Sequence, residues 1–147
     1  CSVVSRRKAW CSMSKFKNYE ANLAVLRHAP EQDLGNEFVQ SGIIDKFAMQ
    51  FELAWKLLRK TLEYEGRMDA ATGSPRGVIK SAYATYDFIA EEVWLSMLND
   101  RNASEHVYDS ALAERLVTVI LDRYIPEFEH LLSCLIDLYG EKLLENM

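Results

Sequence analysis

One run of side chains limits the fold more than any other. Ile44, Phe47, Phe51, Trp55, Leu58 and Leu62 recur at steps of three, four, four, three and four. At about 100° per residue this spacing gathers all six on one face of an α-helix. The run predicts a helix from about residue 36 to residue 64, ended by Gly66.

The remaining segments carry the same period. Phe16, Tyr19, Leu23 and Leu26 predict an amphipathic helix over about residues 15–27, closed by Ala29-Pro30. His28 falls near its C-terminus, where a dipole contact or plain exposure is expected. A polar linker covers residues 31–35 and a loop covers 67–73. Ser74-Pro75 reads as an N-cap followed by proline at the first helical position, opening a short helix through about Phe88. A further helix is expected from Glu91 to about Tyr108. Asp109 or Ser110 caps the last one, which carries Leu112, Leu116, Ile120, Tyr124, Phe128 and Leu131 towards Gly140. Pro126 sits inside it and predicts a kink. With only 6 Gly and 3 Pro, and no useful period-two alternation, strands have little support. The fold class predicted is all-α: an antiparallel up-and-down bundle of four to five helices.

The 147 residues fit one domain. Residues 1–12, CSVVSRRKAWCS, carry three basic groups and no apolar run, so they do not read as a secretory signal. Met13-Ser14-Lys15 looks like the more natural start. Residues 1–12 are therefore expected to be a disordered extension or an expression remnant, and residues 13–147 a single helical domain. Formal net charge is −5, and without residues 1–12 it is 14 basic minus 22 acidic groups, −8. That balance argues against coating nucleic acid by charge alone, while leaving room for a locally basic site. Three cysteines without framework spacing, Cys1, Cys11 and Cys134, suit a reduced, cytoplasmic protein. No apolar run reaches the length of about 18 residues that a membrane span needs.

Chemistry concentrates in residues 100–108, DRNASEHVY. On a helix, Trp94, Leu98, Arg101, Glu105 and Tyr108 fall in one stripe that begins apolar and turns polar. Asn102 and His106, four apart, share the adjacent flank. Unpaired buried polar groups are costly, so the polar half either emerges into solvent or faces a second subunit across a cleft. A fixed cation, Arg101, beside a group that titrates near neutral pH, His106, suits metal-free phosphoryl transfer. His28, His106 and His130 lack metal-site spacing, and no Gly-rich phosphate loop occurs. No metal or cofactor is therefore expected, nor is the chain expected to be a nucleotidyltransferase itself. Glu52 reads as a boundary carboxylate paired with a neighbouring base. Lys56, Arg59 and Lys60 form a basic patch, read as a solvated helix face in preference to an RNA or partner contact.

The segment resembles the R-x4-H-x-Y signature of the HepT-like toxins, a branch of the HEPN superfamily long catalogued as nucleotidyltransferase substrate-binding proteins. The resemblance continues through Phe51-Glu52-Leu53-Ala54-Trp55-Lys56, Tyr64-Glu65-Gly66, Ser74-Pro75-Arg76 and Val93-Trp94-Leu95, in the same order, over about residues 15–140. It implies a homodimer with a metal-independent ribonuclease site shared between subunits, with Arg101 and His106 carrying the chemistry. It also implies a minimal nucleotidyltransferase partner that acts as antitoxin by adding AMP to Tyr108. RNA cleavage by its own 2′-hydroxyl needs a base, an acid and positive charge on the phosphorane. One chain offers a single histidine here, whereas two copies related by a two-fold axis offer two. Asp100 and Asn102 are expected to orient His106 or the substrate. The alternative is a non-catalytic subunit that presents substrate to the nucleotidyltransferase.

Overall fold

Residues 14–67, 73–104 and 109–147 are described in a computed structural model. The extension expected over residues 1–12, most of the loop before Ser74, and Glu105, His106, Val107 and Tyr108 lie outside the described residues. Every regular element among the described residues is helical: α1 Lys15–Leu26, α2 Glu37–Tyr64, α3 Pro75–Thr85, α4 Glu91–Ala103, α5 Ser110–Val119, α6 Ile125–Tyr139 and α7 Glu141–Glu145. A 3-10 turn over Ala29–Glu31 follows α1, and a π turn over Ile120–Tyr124 joins α5 to α6.

Local chemistry explains most of the boundaries. Ser14, Asn36, Ser74 and Asp109 each accept a backbone N–H from the first turn of the helix they precede. Past α2, Gly66 takes φ +83°, and the Arg67 N–H reaches back to the Leu62 carbonyl at 2.8 Å. Glycine adopts that left-handed backbone without a Cβ penalty, so the predicted stop is sharp.

One helix ends earlier than its periodicity suggests. α3 stops at Thr85 instead of about Phe88, because Tyr86 is extended (φ −111°, ψ 143°). Its ring is buried and its hydroxyl meets that of Tyr139 at 2.7 Å. α4 is described through Ala103, and its expected continuation to about Tyr108 lies outside the described residues. Ser104 follows it, with its N–H on the Asp100 and Arg101 carbonyls and its Oγ donating to the Arg101 carbonyl at 2.7 Å. The expected kink at Pro126 takes the form of the π turn just before it. A wider turn accommodates a ring that would otherwise collide with the carbonyl four residues earlier.

The predicted face of α2 forms the spine of the core: Phe47, Phe51, Leu58 and Leu62 are fully buried, and Ile44 and Trp55 nearly so. α2 packs against α1, α3 and α5, with α4 against α3 and α6 against α1. Phe47 stacks on Tyr124 at 5.2 Å, and Trp94 meets Phe128 edge-on at 5.8 Å. Burying one such ring contributes roughly 1.5–3 kcal/mol. α1 runs antiparallel to α2, pinned by buried amides. Asn22 Nδ2 donates to Gln50 Oε1 (2.8 Å) and to the Lys46 carbonyl (3.0 Å), while Gln50 Nε2 donates to the Tyr19 carbonyl (3.2 Å). Among the described residues no helix is long and apolar enough to cross a membrane.

Candidate functional site

The site is carried by the C-terminal half of α4. Trp94 anchors that helix: its ring is fully buried, and its indole N–H donates to Glu127 at 3.2 Å. Leu98, one turn further, is also buried. Arg101 continues the stripe where α4 reaches the edge of the bundle, and its side chain is 32% exposed.

Arg101 is held from two sides. Its Nη2 is ion-paired to Glu52 of α2, and its Nη1 donates to Asn102 Oδ1 at 3.1 Å. The other oxygen of Glu52 accepts from the Trp55 indole at 3.2 Å and lies 3.6 Å from Lys56 Nζ. Glu52 is therefore a boundary carboxylate with neighbouring bases, as its sequence context suggests, and one of those bases is Arg101. The turn from apolar to polar along the stripe is answered, at Arg101, inside the chain. Neither solvent nor a facing subunit is needed to explain that step.

Asp100 serves a different contact. Its Oδ2 accepts from the Tyr124 hydroxyl, and Ser96 Oγ sits 2.7 Å from the same phenol oxygen. Since the phenol proton goes to Asp100, the serine hydroxyl donates to the phenol oxygen. Burial, reinforced by the Asp100 carboxylate, pushes the Tyr124 pKa up to about 12. This contact ties the C-terminal half of α4 to the π turn. Tyr124 is the residue that sequence reasoning missed as part of the site's support. The available signal was its position two residues before Pro126, where an irregular turn re-aims a side chain.

Asn102 is exposed and touches Arg101. His106 and Tyr108 follow the end of α4 by two and four residues after Ser104 and lie outside the described residues, as does the expected continuation of the stripe through Glu105. Lys56 and Arg59 stand over the Trp55 ring, at 5.8 and 5.5 Å from its centre. Among the described residues no group of three or more His, Cys, Asp or Glu is arranged to hold a metal ion.

The family model described as nucleotidyltransferase substrate binding protein like matches residues 14–136. No curated protein matches the chain.

Proposed function

The chain belongs to the nucleotidyltransferase substrate binding protein like family, and on that premise we propose that it is a metal-independent endoribonuclease toxin of the HEPN superfamily. In this proposal it acts in the cytoplasm as a homodimer and is neutralised by a cognate minimal nucleotidyltransferase. The observation that carries the proposal is the position of Arg101. A half-buried guanidinium is held at the bundle's edge by Glu52 and Asn102, at the end of the helix that leads into His106 and Tyr108.

The chemistry follows from those residue types. The RNA 2′-oxygen attacks the neighbouring phosphorus and the 5′-oxygen leaves, giving a cyclic phosphate and a 5′-hydroxyl. One His106 takes the proton from the 2′-hydroxyl, and the partner subunit's His106 returns one to the leaving oxygen. Arg101 forks onto the phosphorane oxygens, whose charge grows in the transition state. Asn102 keeps the guanidinium oriented, and Asp100 fixes α4 through Tyr124. In the silenced state the Tyr108 hydroxyl is joined to the α-phosphorus of ATP with loss of pyrophosphate. The added phosphodiester then competes with RNA for the same cation and fills the cleft.

The test is a single-turnover assay on a mixed RNA pool. Wild-type dimer cleaves, and Arg101→Ala and His106→Ala are slower by a factor on the order of 100 or more. Equal rates in all three proteins would remove this site from consideration. Incubation with the partner and ATP should add AMP to Tyr108, read by mass spectrometry, and modification of another residue would refute the off-switch. A second reading, a non-catalytic subunit that presents substrate to the nucleotidyltransferase, is favoured by the family's own description and by the net charge of −5. It predicts no cleavage by the purified dimer and a changed partner activity when the two are mixed.

A further inference from the structure

Every fourth residue of α2 from Glu52 onward forms one ridge: Glu52, Lys56, Lys60 and Tyr64. Successive members stand about 6 Å apart along the axis, so the row runs about 18 Å from the carboxylate that holds Arg101 to the end of the helix. Arg59 lies beside it, with its guanidinium over Trp55. Lys15, in the first turn of α1, joins the group because α1 runs antiparallel to α2, with Tyr19 and Asn22 against Gln50. The Lys15 ammonium has its pKa lowered, first by burial and then by the charges of Lys56, Lys60 and Arg59.

These cations are poorly compensated. Among the described residues, Lys15, Arg59 and Lys60 make no ion pair, and Lys56 shares its carboxylate, Glu52, with Arg101. The Arg59 Nε is shielded from solvent and has no hydrogen-bond partner among the described residues. Crowding like charges without anions opposes folding, and it does so here on a chain of net charge −5. An external polyanion offsets that repulsion. At the far end of the row Tyr64 is 58% exposed, braced edge-on by Tyr139 at 5.7 Å. Glu63 and Glu65 flank it, so the cationic run stops there.

We propose that the ridge from Lys56 to Tyr64, flanked by Lys15 and Arg59, binds the backbone of single-stranded RNA and leads it to Arg101, with Tyr64 stacking on a base. The proposal rests on the ribonuclease reading and names the path of its substrate. A protein partner fits this surface less well. Protein interfaces bury an apolar centre, whereas Trp55 is already covered and the row offers cations with one aromatic face at its end. Cations tracking a backbone beside a stacking platform are the usual means of holding a single strand.

The experiment titrates a fluorescent single-stranded oligouridine into the full-length His106→Ala dimer over a range of salt concentrations, with circular dichroism to check helicity. Lys60→Gln and Arg59→Gln should each lower affinity and reduce the slope of log K against log salt by about 0.7. Tyr64→Ala should lower affinity about tenfold while leaving the slope unchanged. Folded variants with wild-type affinity and slope would overturn the proposal. So would variants that bind RNA normally but fail to associate with the nucleotidyltransferase, since the ridge would then be a protein contact. The two readings fail separately. A wild-type dimer that binds RNA through the ridge without cleaving it sinks the ribonuclease reading alone, and one that cleaves RNA with the ridge variants unaffected sinks the ridge alone.

Discussion

Glu52 sets the state of Arg101 in the free chain. It holds Arg101 Nη2 on one oxygen, and receives the Trp55 indole and Lys56 on the other. On the ribonuclease proposal, RNA phosphate would have to compete with this internal anion for both cations. Glu52→Gln keeps an oxygen for the indole N–H and removes the charge. RNA affinity should therefore rise in a binding titration, and thermal melting should show a loss below about 1 kcal/mol, as expected for a partly exposed pair. Weaker RNA binding would instead make Glu52 a positioning residue for Arg101. Tyr124→Phe removes the hydroxyl that Asp100 and Ser96 share. It should cost about 1–2 kcal/mol in urea denaturation and, on the ribonuclease proposal, slow cleavage by loosening the end of α4. At this scale the sequence was legible in part. Glu52 sits between Phe51 and Leu53 at the margin of a buried stripe, so a paired carboxylate follows from position alone. Its pairing with Arg101 does not, because the partner is on another helix and only tertiary packing brings the two together.

Among the elements, α2 was legible almost whole, since six apolar residues and a terminal glycine specify its face and its end. The early end of α3 was not. Periodicity continues through it, and what stops the helix is a contact: Tyr86 turning to reach Tyr139. Pro126 announced an irregularity without its form, because a proline in a helix is accommodated by either a kink or a wider turn. The register of α1 on α2 depends on Asn22 and Gln50, two buried amides that satisfy each other. Gln50→Leu leaves Asn22 with one acceptor fewer in an apolar seam and should cost about 2 kcal/mol by chemical denaturation. A neutral or stabilising result would show that apolar packing alone fixes that register.

For the molecule as a whole, four tyrosines give stability a defined alkaline limit. Tyr19, Tyr86, Tyr124 and Tyr139 all have raised pKa values, with burial the first cause in each, and Tyr124 reaches about 12 from an ordinary 10.0. A raised folded-state pKa means that the native protein holds these protons more tightly than the unfolded chain. Their contribution is therefore complete below the ordinary tyrosine pKa and is lost as pH rises through the folded value. Melting temperature should fall across the window from about pH 10 to pH 12, and Tyr124→Phe should flatten that fall. The all-α class was legible from periodicity and from the scarcity of Gly and Pro. The meeting of Arg101 with Glu52, and of Lys15 with the α2 ridge, was not, since long-range pairing leaves no mark in a local pattern. What decides the ribonuclease proposal is whether Arg101 and His106 carry cleavage. The most direct measurement incubates RNA with the purified protein in excess EDTA and identifies the product ends by mass spectrometry. The account predicts 2′,3′-cyclic phosphate and 5′-hydroxyl ends from the wild-type protein and no products from Arg101→Ala or His106→Ala. Cleavage that requires a divalent ion, leaves 5′-phosphate ends or survives both substitutions would contradict it.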